Sequence, residues 1–552
     1  MKRAHKRLQQ QKLQPPSQAD PPFLRLLDAL RNVVQKPSKG QSVVYWMRMG
    51  DLRISDNKAL ALASAQAVKD QIPLVVLHVL SPQDYIAHDR SKSRIDFVLR
   101  NLSLLKDDLT KLNIPLYTIT HTPRKTVPTR VISVLQTLQA TRLFANIEYE
   151  VDELRRDLEV CSLAKNAGIR PAYVHDRCII EPGVVKTKDG RTYTVYSPYQ
   201  RSWINILNSN LLDYLDEFPS PKPNPSTTRE NPIFGSLFDA QVPVSVHDFE
   251  LDSEDATNMI KIWPAGTSSA EEILSRFLYT KARATQLGAV DPVADGAENS
   301  GKRSRILLYD EARDRGDRDT TSRLSPYLSA GVISVRECVR ATMKLLGIQK
   351  VDAGRSSGVG RWMQELAWRD FYTNVLAYYP RVSMGRPFQE KYAGVKHLNA
   401  WKEGKTGVPI VDAAMRQINA MGWTHNRMRM IVAMFLSKDL LLDWRLGERY
   451  FMEKLIDGDL ASNNGGWQWS ASTGVDPAPY FRLFNPYTQS SKADPTGDFI
   501  RTFVPELKNL YGPEIYNPPA KVADKLGYPR PIVNHAEVRE RAIRRYKTPG
   551  EE

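Results

Sequence analysis

Tryptophan is concentrated between positions 362 and 469, where charged and amide residues separate the indoles. Seven of the ten tryptophans of the chain lie there: Trp362, Trp368, Trp401, Trp423, Trp444, Trp467 and Trp469. Core aromatics are rarely flanked by so many Arg, Asp, Glu and Asn side chains, because those groups would have to be desolvated. A pocket for a large, flat ligand with polar edges uses both kinds of residue. Composition therefore favours such a pocket over a helical core that is merely filled with tryptophan.

Helical spacing brings some of the interleaved residues onto common faces. Glu365 and Arg369 are four positions apart, and Asn426, Arg429 and Met430 are separated by three and four. Residues at these separations are neighbours on a helix surface. A paired carboxylate, guanidinium and amide set of this kind can hydrogen-bond the polar edges of a ring.

The segment DGDLASNNGGWQW at 457–469 adds two carboxylates, three amides and two indoles in thirteen positions. Glycine and asparagine are poor helix formers. We therefore expect the part from 462 to 469 to be irregular rather than helical.

Four motifs, in order and with similar spacing, resemble the photolyase/cryptochrome flavoprotein family. They are TSRLS at 321–325, WMQELAWR at 362–369, GWTHNRMRM at 422–430 and DGDLASNNGGWQW at 457–469. The resemblance covers about 42–520. Residues 405–485, including GVPIVDAAMR at 407–416, look especially like class I cyclobutane pyrimidine dimer DNA photolyases.

The resemblance implies a bent FAD, active as FADH⁻, inside a helical domain. The matching flavin-contacting positions are Tyr309, Thr321, Ser322, Leu324, Ser325, Glu365, Arg369, Trp423, Asn426, Arg429, Asp457, Asp459 and Asn463. Arg429 and Asp457 match an ion pair beside the isoalloxazine ring, and Asn463 matches the residue that faces flavin N5. Hydroxyl and backbone N–H donors suit the diphosphate. One departure is Thr320, where many relatives have Gly, so the turn before Thr321 is expected to differ.

The resemblance also implies binding of UV-damaged DNA with the dimer flipped out of the duplex. Trp368 and Trp469 match the two tryptophans that sandwich the dimer, and Glu365 would hydrogen-bond its base edge. The whole set of matching DNA-binding positions is Arg313, Trp368, Asn426, Arg427, Met430, Trp469 and Arg482. The three arginines would bind phosphates beside the lesion. Without the resemblance, each of them would be interpreted as a solvated surface charge.

A tryptophan relay that keeps the flavin reduced is implied as well. Trp467 and Trp444 match its two inner members, so the positions assigned to catalysis are Glu365, Asn463, Trp444 and Trp467. The tryptophan expected as the outer, surface member is missing from the segment between 388 and 401. Tyr392 and Trp401 are both left as candidates for that role.

The amino-terminal half resembles the antenna domain of the family. The segment EYEVDE at 148–153 is similar to the folate-type segment, and Glu153 is the residue that carries over. We expect 5,10-methenyltetrahydrofolate as the antenna chromophore, although Asp152 stands where a bacterial relative has Asn. A deazaflavin antenna and an empty antenna site are the alternatives.

Short apolar runs alternate with helical stretches up to about residue 212, which predicts a parallel sheet covered on both faces. The predicted strands cover 43–46, 74–80, 115–119 and 142–146. The fold class is therefore α/β, with a doubly wound, Rossmann-like antenna domain at 41–212 and an all-α FAD-binding domain at 264–520. A Pro-rich connector at 213–263 joins them. Residues 1–40 are predicted to be a disordered basic tail and 521–552 a carboxy-terminal tail; the role of a loop-like insertion at 283–304 is open.

Composition limits the remaining choices. The net charge is +15, of which the first 40 residues supply +7, from nine Lys and Arg against two Asp. The longest apolar run is far shorter than the ~18 residues of a membrane helix. Three cysteines without paired spacing exclude a disulfide scaffold. No pair of histidines has the spacing of metal ligands, which argues against a metal site. The segment GAENSGK at 296–302 resembles a phosphate-binding P-loop but lacks the Ser or Thr that follows its Lys, which argues against that site. We expect a monomer. Because basic pairs open the chain, we expect the nucleus as its location, and the absence of acidic residues before Asp20 leaves the mitochondrion as the alternative.

Light-driven repair is the function that these residues and the resemblance together predict. The reaction would pass one electron from excited FADH⁻ to a cyclobutane pyrimidine dimer and take it back after the ring splits. A cryptochrome photoreceptor is the first rival, disfavoured by Asn463 and the short carboxy-terminus. A (6-4) photolyase is the second, disfavoured by Met430 where that chemistry uses histidine. A plain basic DNA-binding protein is the third.

Overall fold

The structure is a computed structural model that describes residues 21–31, 39–286, 290–354, 356–380 and 395–547. Within these residues the amino-terminal half forms a parallel sheet with helices on both faces, and the rest is helical. The predicted fold class, α/β followed by an all-α region, is confirmed.

The sheet has five parallel strands in the order β3-β2-β1-β4-β5. Their bounds are Ser42–Met47 (β1), Leu74–Leu80 (β2), Leu116–Thr120 (β3), Ala140–Asn146 (β4) and Arg170–Val174 (β5). Val44 of β1 pairs with Val75 on one side and Leu143 on the other. The order reverses direction between β1 and β4, as in doubly wound folds.

Both faces of this sheet are buried. Val43 and Tyr45 of β1 join one hydrophobic cluster, whereas Val44 and Trp46 join another on the opposite face. Successive side chains of a strand point to opposite faces, so a strand whose residues are all apolar requires cover on both sides. Helices that pack on the strands supply that cover. The helices of this half of the chain are Pro22–Arg31 (α1), Lys58–Asp70 (α2), Pro82–Ala87 (α3), Lys92–Lys111 (α4), Val127–Thr137 (α5), Val151–Asn166 (α6), Tyr196–Ser209 (α7) and Leu211–Leu215 (α8).

Helix α1 corrects the prediction that the first 40 residues are disordered. Phe23 and Leu26 are fully buried, and the helix packs on α6 and β5. The Phe23 ring meets Tyr149 and Tyr378 edge-on, with ring centroids 5.7 and 5.5 Å apart. Sparse apolar residues suffice here because the sheet domain provides a preformed groove for them. Residues 1–20 and 32–38 lie outside the described part.

The connector after α8 follows the sheet domain closely. The Asn224 side chain accepts a hydrogen bond from the backbone N–H of Leu74, 2.9 Å away, and donates one to the carbonyl of Leu74, 2.8 Å away. An amide that satisfies both backbone groups of one residue ties the connector to the start of β2.

Helices dominate from residue 253 onward. Their bounds are Ser253–Ile262 (α9), Thr267–Tyr279 (α10), Tyr309–Ala312 (α11), Ser325–Ser329 (α12), Val335–Leu346 (α13), Gly358–Tyr378 (α14), Val395–Glu403 (α15), Pro409–Met421 (α16), Asn426–Met434 (α17), Trp444–Lys454 (α18), Leu460–Ser470 (α19), Pro486–Ala493 (α20), Asp498–Phe503 (α21), Ala520–Leu526 (α22) and His535–Lys547 (α23). A π-helical turn, Phe435–Asp439, extends α17.

Helix α19 contradicts the expectation that residues 462–469 are irregular. Asp459 caps the helix by accepting a hydrogen bond from the Ser462 N–H, 2.8 Å away. A Cβ at Gly465 would lie 2.3 Å from the Tyr372 ring of α14. Close helix packing therefore requires glycine at this position and outweighs its low helix propensity.

The carboxy-terminal segment, predicted to be a tail, contains α22 and α23. The Tyr528 hydroxyl between them donates to the buried Asp412 carboxylate, 2.6 Å away. The His535 ring at the start of α23 hydrogen-bonds Asp439 of the π-turn at 2.5 Å. These contacts make the segment part of the helical domain.

Buried charges join the two halves of the molecule. Arg336 of α13 pairs with Asp56 and Asp176 of the sheet domain, at 2.9 and 2.8 Å. Arg94 of α4 donates to the carbonyl of Gly458, 2.9 Å away. The Gly458 segment precedes α19, so the sheet domain directly supports the polar motif at 457–469.

Candidate active site

Three helices carry many of the predicted site residues and the neighbouring Trp362. Trp362, Glu365, Trp368 and Arg369 lie on α14; Asn426, Arg427, Arg429 and Met430 lie on α17; Asn463, Trp467 and Trp469 lie on α19. Helix α19 packs against both α14 and α17. Residues more than 100 positions apart are thus assembled around one helix.

The predicted ion pair between Arg429 and Asp457 is present, with Nη2 and Oδ2 2.9 Å apart. Arg429 Nε also donates to the carbonyl of Thr424 at 2.9 Å. The carboxylate is buried, so the pair is shielded from solvent and its orientation is fixed.

Asn463 is oriented by a residue that the sequence did not single out. Its amide nitrogen donates to the backbone carbonyl of Glu448, 2.9 Å away, and lies 3.3 Å from Glu448 Oε1. Burial raises the pKa of Glu448 to about 7, against the opposing effect of this hydrogen bond.

Hydroxyl groups and an indole surround the turn that leads into α12. Ser325 Oγ accepts from Trp423 Nε1 at 3.3 Å, and Ser322 Oγ accepts from the Leu324 N–H at 3.4 Å. Thr321 and Trp423 line a common narrow pocket. These predicted positions therefore do converge, with donors suited to an anion.

The turn before Thr321 tolerates Thr320 without strain. Among the described residues with positive φ outside glycine, this turn contributes Arg323, at +59°, and not Thr320. The Thr320 hydroxyl donates to the Arg315 carbonyl at 3.3 Å. The glycine of many relatives is not required here.

Arg369 and Asp459 are held by one arginine of the sheet domain. Arg369 donates to the backbone carbonyl of Arg177, and the Arg177 guanidinium forms an ion pair with Asp459. Burial lowers the pKa of Arg369. Tyr309 is buried, with its ring centroid 5.6 Å from that of Phe277.

Two buried polar atoms of the predicted site residues lack partners. Asp457 Oδ1 and Trp467 Nε1 have no hydrogen bond among the described residues. Orphaned buried acceptors and donors are costly unless a bound group satisfies them. The polar set and these two atoms fit a large ligand with donors and acceptors along its edge, such as a flavin.

Trp368 is backed by an aromatic residue of the sheet domain. The Tyr196 ring stacks on it with centroids 3.5 Å apart and planes at 8°, and the Tyr196 hydroxyl donates to the Gln364 carbonyl at 3.0 Å. Trp368 remains half-exposed. Tyr372 also stacks on this indole, with ring centroids 5.3 Å apart.

Two of the predicted phosphate clamps are paired with carboxylates. Arg313 Nη1 lies 2.6 Å from Glu365 Oε1, and Arg427 forms an ion pair with Asp314. Burial raises the pKa of Glu365. The predicted base-edge carboxylate and a predicted phosphate clamp are therefore direct neighbours.

Arg482, an exposed member of the predicted DNA set, lies over the half-buried Trp469. The Arg482 guanidinium carbon lies 5.4 Å from the Trp469 ring centroid, within cation–π range. Asn426 is exposed, and its amide lies 4.0 Å from the sulfur of the half-buried Met430. The first pair combines a guanidinium with an aromatic ring, and the second combines an amide with a thioether.

The predicted relay is only partly defined by the structure. Trp467 is buried against Gly447 of α18, the helix that begins with the half-buried Trp444. Trp401 is fully buried, 6.1 Å from Trp467 between ring centroids. Trp401 is therefore wrong as a surface member, and Tyr392 lies outside the described residues.

Glu153, the predicted antenna residue, lies on α6 beside His88. Its Oε1 is 3.2 Å from His88 Nδ1, while its buried Oε2 has no partner among the described residues. Burial raises the pKa of Glu153 to about 7. Asp152 is engaged by Arg124, at 2.7 Å.

Several positioning residues were missed by sequence reasoning, namely Tyr196, Arg177 and Glu448. Each acts through a contact with a residue distant in the chain, and none belongs to a motif. In the part of the chain that the structure describes, no group of three His, Cys, Asp or Glu side chains could hold a metal. No helix of that part could cross a membrane.

Family models match both halves of the chain. "DNA photolyase" matches residues 43–224 and "FAD binding domain of DNA photolyase" matches residues 362–548. A deoxyribodipyrimidine photo-lyase of Neurospora crassa is 42% identical over 92% of this chain and 82% of its own length. That of Escherichia coli is 37% identical over 91% and 98%.

A solved structure supports the same assignment. A bacterial class III photolyase from Agrobacterium tumefaciens superimposes with a TM-score of 0.74 and 28% identity, over 94% of this chain and 99% of that one. Together with the site geometry, these similarities establish that the chain belongs to the DNA photolyase family.

Proposed function

We propose that this protein repairs cyclobutane pyrimidine dimers in UV-damaged DNA with light. The observation that carries the proposal is that α19 carries both Asn463 of the flavin set and the half-buried Trp469, over which the exposed Arg482 of the adjoining loop lies. A flavin site and a stacking surface for a base are then neighbours. The chemistry that bound, reduced FAD supplies is transfer of one electron to the dimer and its recovery after both cyclobutane C–C bonds between the bases are broken.

The residues toward the flavin have distinct tasks. The buried Arg429–Asp457 pair keeps a positive and a negative group in fixed positions, and Asn463 offers a neutral amide whose nitrogen is already held by Glu448. A neutral amide adds no charge next to a reduced, anionic ring. Ser322, Ser325 and Thr321 would hold the diphosphate.

The residues toward DNA would bind and orient the lesion. Trp469 and Trp368 present indole surface to the flipped bases, and stacking of this kind tolerates any base sequence. Glu365, whose pKa is raised by burial, would hydrogen-bond a base edge while Arg313 holds one of its oxygens. Arg482 would contact a phosphate beside the lesion.

A folate, 5,10-methenyltetrahydrofolate, is the antenna that we propose. The support is Glu153, whose buried Oε2 has no partner among the described residues and could accept from the N–H groups of a pterin ring. Arg124 forms its ion pair with Asp152 and not with Glu153, so the Glu153 oxygen remains available to a ligand. An absorption spectrum of the purified protein tests this, because folate and flavin absorb at different wavelengths; a spectrum of flavin alone contradicts it.

We also propose a nuclear monomer. The support is the basic pairs Lys2–Arg3 and Lys6–Arg7, which lie outside the described residues. A fluorescent fusion of residues 1–40 with these four residues changed to alanine should lose nuclear accumulation. Mitochondrial accumulation of the unchanged fusion would favour the alternative address, and a dimer in light scattering would contradict the monomer.

Binding to damaged DNA tests the lesion surface. Trp469→Ala removes stacking worth about 1–3 kcal/mol per base, so its affinity for DNA with one dimer should fall at least fivefold while its flavin content stays that of the parent. Tyr511→Ala is the control, since it removes an exposed aromatic side chain outside the predicted set. Equal affinity of the Trp469 variant and the parent would contradict the lesion surface.

A further inference from the structure

Lys438 is a fully buried lysine whose ammonium reaches the loop after α19. It lies in the π-turn Phe435–Asp439. Its Nζ donates to Ser472 Oγ at 2.7 Å and to the backbone carbonyl of Arg482 at 2.8 Å. Among the described residues no carboxylate lies within ion-pair distance of it. An ammonium buried without a counter-ion carries a large desolvation cost, so these two hydrogen bonds are not incidental to its position.

The two acceptors lie near the ends of one loop, 471–484, which we call the lesion loop. Ser472 follows the last turn of α19 in a left-handed conformation, with φ of +58°, and its hydroxyl lies 3.3 Å from the Pro479 carbonyl. Arg482 is the residue whose guanidinium covers Trp469. Lys438 therefore bridges the start of the loop and the backbone of its exposed arginine.

The carboxy-terminal helix α23 holds the π-turn from the other side. Besides the His535–Asp439 contact, Arg541 donates to the Asp439 carbonyl at 2.9 Å and the Tyr546 hydroxyl to the Ser437 carbonyl at 3.2 Å. The π-helical geometry inserts one extra residue in the turn, a feature often found at functional sites. The ammonium of Lys438 also lies 5.5 Å from the Tyr546 ring centroid.

We propose that Lys438 is a positioning residue for recognition of damaged DNA. By fixing the backbone of Arg482, it keeps that guanidinium over Trp469 and directed to a phosphate beside the lesion, and α23 keeps Lys438 in place. The inference rests on the proposed function, because it takes Arg482 and Trp469 as contacts to DNA. It assigns a role to α23, which itself carries no predicted contact to flavin or DNA.

Lys438→Met in the full-length, flavin-loaded protein is the direct test. We expect its Kd for DNA with one dimer to rise at least fivefold and its KM for repair to rise with it, while the repair rate at saturating DNA and the flavin spectrum stay those of the parent. Lys454→Met is the matched control, because it removes the same charge from an exposed position of α18 without a contact to the lesion loop. An unchanged Kd in Lys438→Met, or an equal rise in Lys454→Met, would overturn the proposal.

A double-mutant cycle with Arg482→Ala separates this proposal from the proposed function. If Lys438 acts through Arg482, Lys438→Met should add little to the loss in Arg482→Ala. The slope of log affinity against log salt is negative. Each single variant should make it shallower by about 0.9, the value for one phosphate contact. Additive losses would overturn the role of Lys438. No effect of Arg482→Ala itself would instead contradict the DNA contact on which the proposed function relies.

Ser472→Ala covers the case in which Lys438→Met does not fold. It removes one acceptor of the ammonium at a half-buried loop position and leaves the helices intact. We expect a twofold to threefold rise in Kd with unchanged flavin content. No change in Kd in this variant would count against the proposal.

Discussion

The side-chain amide of Asn463 is anchored to the backbone of Glu448, with its nitrogen 2.9 Å from the carbonyl oxygen. A nitrogen that donates to α18 leaves the amide oxygen as the atom offered to the other side. Under the proposed function, Glu448 would therefore decide which end of the amide faces the flavin. The carboxyl group of the same residue, 3.3 Å from the amide, adds a titratable neighbour.

The first prediction concerns the pH dependence that Glu448 confers. Burial raises its pKa to about 7, above the ~4.3 of an unfolded glutamate. The folded state thus binds this proton more tightly, so the contribution to stability is full below about pH 4.3 and is lost as pH rises through about 7. Glu448→Gln removes the titration. The melting temperature of the variant minus that of the parent should increase from pH 5 to pH 8.

Glu453→Gln on the same helix is the control for this measurement. Glu453 is exposed, so its replacement should give a difference from the parent that changes little over the same pH range. A difference for Glu448→Gln that is constant with pH would show that this carboxyl group has an ordinary pKa in the folded protein.

The second prediction concerns the stack of Tyr196 on Trp368. Aromatic pairs contribute about 0.5–1.5 kcal/mol beyond their buried area, and this one fixes the indole plane. Tyr196→Leu should weaken binding of damaged DNA about twofold to tenfold. Tyr196→Phe keeps the ring and loses only the hydroxyl bond to Gln364, so it should bind like the parent. Similar affinities of the Leu and Phe variants would refute a role for the stack.

The third prediction concerns α1. Phe23 is fully buried between the sheet domain and Tyr378 of α14, and loss of a buried phenyl ring costs about 3–5 kcal/mol. Phe23→Ala should lower the free energy of unfolding by an amount of that order in urea denaturation. Removal of residues 1–20 should leave it unchanged. A Phe23 variant as stable as the parent would mean that α1 does not pack in solution.

These residues illustrate what the sequence could and could not predict. The four motifs predicted the flavin set, and four apolar runs located four strands. Strand β5 was missed because Pro171 interrupts it, and a proline is tolerated there since β5 is an edge strand. Helix α19 was missed because the glycine content argued against it, whereas the close approach of Tyr372 to Gly465 depends on another helix.

The unpredicted members of the site share one property. Tyr196, Glu448 and Lys438 contribute through a stack, a backbone carbonyl and a backbone contact, respectively. Their partners lie 15 to 172 positions away, as the residue numbers show. Neither spacing nor composition reports such contacts, because they arise only when the helices pack.

The fourth prediction concerns the route by which the flavin is reduced. Trp444→Phe should largely block photoreduction of oxidised FAD, because an inner member of the relay would be lost. Trp401→Phe should photoreduce nearly as well as the parent, since Trp401 is fully buried and has no surface for an external reductant. Repair by either variant should persist after chemical reduction. Unchanged photoreduction in Trp444→Phe would place the electron route elsewhere.

Light-dependent repair by the purified protein is the most direct test of the central claim. The protein, with its FAD fully reduced, is incubated with DNA that carries one cyclobutane pyrimidine dimer, under blue light and in darkness. We predict that dimers disappear only in the light, with more than one dimer repaired per protein and no consumption of an added reductant, because the electron returns. Retention of all dimers in the light, with the flavin bound and reduced, would contradict the account.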